Sequence, residues 1–207
     1  MALKMWDRGG ARRVASVSEF NFPSGVRQRF GFIHPTMSTD GIAKVEAATR
    51  QWFRLIARHP RARLSMPSVA VDAMWHELTL HTGEYEGLCR RAFGHPLHHI
   101  PASSLDPAAS GPGLRTTYQL ACADEPVQRP ALPLLFRVDG ELAVNGGHRY
   151  LADCGGRAQC YDSHPIRCLE HIDGLRKRRT PWNARESGNP VSYGGDAGCG
   201  GGGCGGN

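Results

Sequence analysis

No apolar run in this sequence approaches the ~20 residues that a helix needs to cross a bilayer. The opening stretch MALKMWDRGGARR lacks the apolar core of a secretory signal, so the chain is expected in the cytoplasm, where thiols stay reduced. A phosphate-binding loop, a dinucleotide fingerprint and a Gly-x-Ser-x-Gly elbow are all missing, which removes the usual marks of nucleotide and α/β-hydrolase chemistry. An excess of one charge is also nearly absent. The 25 basic and 19 acidic residues leave a net +6, too mild to argue for a nucleic-acid partner. The basic runs Arg12-Arg13 and Arg176-Lys177-Arg178-Arg179 read as solvated segments.

What is present suits one domain, or one domain with a tail, in 207 residues. Hydrophobic residues make up 40%, enough for a core but on the lean side. Cysteine numbers seven, and an odd count disfavours a closed disulfide set, leaving thiols for metal.

Residues 1–36 read as irregular, with Gly9-Gly10, Pro23-Ser24-Gly25 and His34-Pro35. A helical domain is expected over 37–145. Its first helix takes Asp40 as N-cap, carries Ile42, Val45, Ala48, Trp52, Phe53 and Ile56 at helical spacing, and stops at Pro60. A second helix is expected from Pro67 and Ser68 to about Phe93, with Gly94 as its stop. Val71, Trp75, Leu78, Thr82, Tyr85 and Cys89 fall in one sector of it and form the expected core face. A Pro/Ser/Gly loop over 101–113 and helices near 114–123 and 132–142 follow. Residues 146–175 form a Cys/His-rich segment without periodicity, and 176–207 a basic and Gly/Cys-rich tail expected to be disordered. The predicted class is therefore mainly α, followed by an irregular Cys/Gly-rich segment and the tail.

Histidine is concentrated between Val71 and Pro101, where His76, His81, His95, His98 and His99 lie. The stretch HELTLH resembles a zinc-protease motif but fails its spacing. His76 and His81 are five apart, so ~140° separates them on an unbroken helix. Asp72 and His76 are four apart and share a face, which suits a carboxylate orienting an imidazole toward an ion. Along a straight helix ~13 Å remains between His98 and His76, about the limit of two imidazole reaches, and a bend at Gly83 would shorten it. The group His81, Cys89 and His98 is easier on reach.

A second cluster is Cys154, Cys160, Cys168 and His171, with His164 inside it. Three thiolates and an imidazole are a ligand set for tetrahedral structural zinc. The tail pair Cys199 and Cys204 has no fixed spacing partner.

The stretch from Asp72 to Pro101 resembles the glycine-rich domain-containing-protein-like family. The match is carried by Asp72, Trp75, His76, Thr82, Tyr85, Cys89, Phe93, Gly94, Leu97, His98, His99 and Pro101. The later LPLLFRVDGELAVNGGHRYLADCGGRAQC and the closing Cys-Gly tail resemble bacterial members, so the likeness covers most of residues 40–207. It implies a helical domain with no established reaction, in a group whose plant members are linked to development and stress responses. Leu78 stands where plant members carry a second histidine.

The leading expectation is a cytosolic zinc protein with Cys154, Cys160, Cys168 and His171 as first-choice ligands. His81, Cys89 and His98 are the second choice, and Asp72 with His76 the third. Two alternatives stand beside it: a metal-dependent enzyme working at Asp72 and His76, or a protein-interaction module that uses the Cys-Gly tail.

Overall fold

Ser38 opens the longest helix. In the computed structural model, which describes residues 2–99, 107–128, 130–153 and 166–169, its hydroxyl accepts the Gly41 N–H at 3.1 Å. This caps α3 (Thr39–Arg58) two residues before the expected Asp40, which instead lies in the first turn and favours the helix dipole. The helix ends at Arg58, just before Pro60 as expected. Val45, Ala48, Phe53 and Leu55 on α3 are fully buried, and Trp52 nearly so. Helix α3 packs against α1, α2, α4, α6 and α7.

The other helices are α1 (Ala2–Ser18), α2 (Ser24–Ile33), α4 (Val69–Thr79), α5 (Thr82–Ala92), α6 (Pro107–Asp124) and α7 (Leu134–Glu141). Strands β1 (Arg149–Leu151) and β2 (Ile166–Cys168) pair in parallel, with Leu151 opposite Cys168. The fold is mainly α, as composition and periodicity predicted. The chain divides into two compact units, Met1–Leu175 and Arg176–Asn207, and every described residue lies in the first. The expected tail disorder falls outside the described residues.

Three local expectations are corrected. Residues 1–36, expected to be irregular, carry α1 and α2. Gly9 and Gly10 weaken α1 by about 1 kcal/mol each, but packing on α3 and α5 outweighs propensity. Arg50 then closes the end of α1, donating to the carbonyls of Val17 and Ser18 at 3.2 and 3.3 Å, and also to that of Phe20. The second correction is the single helix expected over 68–93, which is two helices broken at Leu80 and His81. The third is α6, which begins at Pro107, inside the expected loop 101–113. Proline suits a first helical position. Gly113 lets α6 approach closely, since a Cβ there would lie 2.2 Å from Ser65 Oγ. Thr117 accepts the Ser65 N–H at 3.0 Å across the same contact.

Two helix N-termini are satisfied from elsewhere in the chain. Asp139 on α7, 2% exposed, accepts from Ser68 Oγ at 2.6 Å and from the N–H groups of Val69, Ala70 and His148 at 2.8, 3.2 and 2.9 Å. Helix α7 begins after Pro133, which has no capping side chain. Its Leu134 and Leu135 N–H groups donate instead to Glu125 at 2.7 Å and to the buried Gln51 at 2.8 Å.

Glu46, 7% exposed, lies between Arg27 at 2.5 Å and Arg50 at 2.8 Å. Burial alone would raise its carboxyl, but the hydrogen bonds from the two guanidiniums outweigh this and hold it below its ordinary value.

Replacing Asp139 with Ala should lower unfolding free energy by about 3–5 kcal/mol in urea titration, because it leaves buried donors unpaired. A loss under about 1 kcal/mol would remove Asp139 from this role. For Glu46 the folded pKa is depressed, so its contribution is present above the unfolded value near 4.5 and is lost as pH falls through the folded value. Glu46→Gln should therefore destabilise the protein at neutral pH and flatten its stability loss below about pH 4.5. An unchanged acid limb in melting curves would refute this assignment.

Candidate functional site

The break between α4 and α5 builds the site. The N–H groups of Leu80 and His81 fall back on the carbonyls of Glu77 and Leu78 at 3.3 and 3.0 Å, a tightened last turn. His81, at ψ 67, then leaves helical geometry. On a continuous helix Trp75 and Tyr85 would stand ~15 Å apart along the axis. Here Trp75 Nε1 donates to the Tyr85 hydroxyl at 2.9 Å, and that hydroxyl donates to the Leu97 carbonyl at 2.5 Å. The chain reaches Leu97 by turning at Gly94, whose φ of 78° is the left-handed conformation that favours glycine at a helix end. Burial pushes the Tyr85 hydroxyl well above its ordinary pKa, so it stays protonated and able to donate.

The returning strand of chain sets His99 against α4. Its Nε2 lies 3.1 Å from Asp72 Oδ1. The ring meets Trp75 edge-on at 4.7 Å between centroids, and His76 at 5.6 Å. When neutral and donating through Nε2, His99 leaves Nδ1 as an acceptor. The arrangement is a carboxylate-oriented imidazole beside a second imidazole, suited to proton transfer or to presenting nitrogen to an electrophile.

The candidate ligands are distributed as follows. Asp72 is partly buried and engages His99, not His76; His76 is exposed. His81 packs its ring on α2, where a Cβ on Gly25 would lie 2.8 Å from it. Cys89 is a core residue at 3% exposure, and His98 is exposed. The group His81, Cys89 and His98 is therefore not brought together. Among the described residues no three His, Cys, Asp or Glu side chains converge where one ion could sit. Cys168 is buried in β2, whereas Cys154, Cys160, His164 and His171 lie outside the described residues. The expected approach was of His98 toward His76; it is the next residue, His99, that meets α4, and it meets Asp72. Its signal was present in the two apposed histidines after a glycine stop.

A family model described as UCP032817-like matches residues 12–172. No curated protein and no solved structure matches the chain.

Tyr85→Phe removes the acceptor of Trp75 and the donor to Leu97, at a cost of about 1–3 kcal/mol in denaturant unfolding. It should also release the 95–99 segment, read as faster amide exchange there. Unchanged stability and exchange would show that the Trp75–Tyr85–Leu97 chain does not hold His99 in place.

Proposed function

We propose a zinc-binding role in the cytoplasm for this chain, which belongs to the UCP032817-like family. In this reading Cys154, Cys160, Cys168 and His171 hold the ion. Kinship with the glycine-rich domain-containing proteins, drawn from the segment between Asp72 and Pro101, is part of the same reading.

The observation that carries it is the parallel register of β1 and β2. Leu151 lies opposite Cys168. Cys154 follows Leu151 by three residues, and His171 follows Cys168 by three. Equal lengths of chain, each reaching at most ~11 Å, thus lead from one strand pair to two of the candidate ligands. Donor chemistry adds to this, since thiolate with imidazole suits zinc. Zinc would also supply the ordering that a Gly-rich segment poor in apolar residues lacks. The cytoplasmic placement follows from the need for reduced thiols. No described helix is long and apolar enough to cross a membrane.

A second reading, a metal-dependent enzyme at Asp72, His76 and His99, draws on one spacing. Two imidazoles on one tetrahedral zinc have centroids roughly 5 Å apart, from Zn–N bonds of ~2.0–2.1 Å. His76 and His99 stand at 5.6 Å. Asp72 would have to release His99 to admit the ion.

Elemental analysis of purified protein should find about one zinc per chain. Cys160→Ser should lose it, while a His76→Ala/His99→Ala double variant should retain it. Retention by the cysteine variant and loss by the histidine variant would move the metal to the second site. A metal-free protein would remove both readings.

A further inference from the structure

A cleft opens where α1, the end of α3 and the segments around Trp75 and Phe93 meet. Its volume is about 230 Å³. Trp52, Trp75, Phe93 and Leu97 give it apolar and aromatic walls, and Arg13 and His59 are its polar members used below. Among the described residues, no aspartate or glutamate lines it.

Two of these residues carry buried donors that no described residue satisfies. Trp52 Nε1 and Arg13 Nε are both removed from solvent and have no hydrogen-bond partner. Trp52 is 5% exposed, so its indole N–H has no water route of its own. A buried donor without an acceptor costs about 1–3 kcal/mol, and a folded protein leaves few of them. Trp75 shows the contrast: the same kind of group, on the same cleft, donates to Tyr85. Neither donor meets an acceptor among the described residues, and both belong to residues that wall the cleft.

The walls specify the rest of the ligand. An apolar cavity of about 150 Å³ accommodates benzene, so 230 Å³ corresponds to roughly nine non-hydrogen atoms. Charge sets the head group. Burial, reinforced by the neighbouring Arg58 cation, holds His59 below its ordinary pKa. Arg13 is the one arginine or lysine among the described lining residues, which matches a monoanion better than a phosphate dianion. A planar carboxylate fits a guanidinium edge and offers further lone pairs to an indole N–H.

We propose that this cleft binds a small monocarboxylic acid with an aromatic or compact apolar body, its carboxylate reaching Arg13 Nε and Trp52 Nε1 once the lining side chains shift to admit it, and its body held between Trp52, Trp75, Phe93 and Leu97. None of the proposed zinc ligands is among the described lining residues, and binding here does not require zinc.

Phenylacetate is the probe, with phenylacetamide as its neutral counterpart of the same shape. Titration of the full chain, followed by tryptophan fluorescence and by ligand-observed NMR, should give saturable binding of phenylacetate. Phenylacetamide should bind at least about tenfold more weakly, since it loses the charge-assisted bond. Arg13→Met should weaken phenylacetate about tenfold and bring acid and amide close together. Trp52→Phe, which removes the donor together with one of the two rings of the indole, should also weaken it. The acid–amide comparison needs no variant, so it stands even where a substitution impairs folding. Absence of saturable binding up to about 10 mM overturns the proposal. So does equal binding of acid and amide by the unaltered chain, or acid binding unchanged in a folded Arg13→Met variant.

Discussion

One buried carboxylate holds the parts of this molecule in register. Asp139 reaches from α7 to the first turn of α4, where it accepts the Ser68 hydroxyl and the Val69 and Ala70 N–H groups. Its second oxygen also accepts the His148 N–H, at the entry to β1. A helix N-terminus offers unpaired donors and the positive end of a dipole, and a buried anion needs both. The direction of α4, and so the position of Trp75, depends on this contact. The start of β1 depends on it too, and with it the strand that lies beside Cys168.

From α4 the consequences run in one line. Trp75 is fixed against Trp52 and Phe53 of α3, with ring centroids 6.1 and 5.7 Å away. Its indole N–H is taken by Tyr85, which binds the Leu97 carbonyl and brings His99 to Asp72. The residues that carry the family resemblance therefore have structural reasons to be there: Trp75, Tyr85 and Gly94 shape the path, Cys89 and Phe93 fill the core beneath it, and Asp72 and His99 meet at its end. The cleft with the two unmet donors borders the same tryptophan. Packing and recognition thus share Trp75, and a change there would be felt at both.

Much of the fold was legible in the residues. The apolar spacing on α3 and the stop before Pro60 were both found where expected, as was α7 within the span 132–142. Both faces expected to build the core do so, and Trp52 and Phe53 pack on Trp75. Less of the site was legible. Spacing along a straight helix left His98 at the limit of reach to His76 and did not single out His99, which the break at Leu80 and His81 brings to Asp72. That break has no proline to announce it. Glycines and prolines in residues 1–36 argued for irregular chain, yet α1 and α2 form because neighbouring helices cover them.

The sequence by itself determined the class of structure, the stripe of α3 and the glycine that turns the chain at residue 94, because periodicity, caps and positive φ are set within a few residues. Tertiary structure alone decided which groups meet. Asp72 had two histidines within reach and took His99; Asp139 and Gln51 cap helices that lie 71 and 84 residues away in the chain. Such pairings join groups whose separation in sequence carries no signal. They are chosen by the need to give each buried donor an acceptor once the apolar faces have closed.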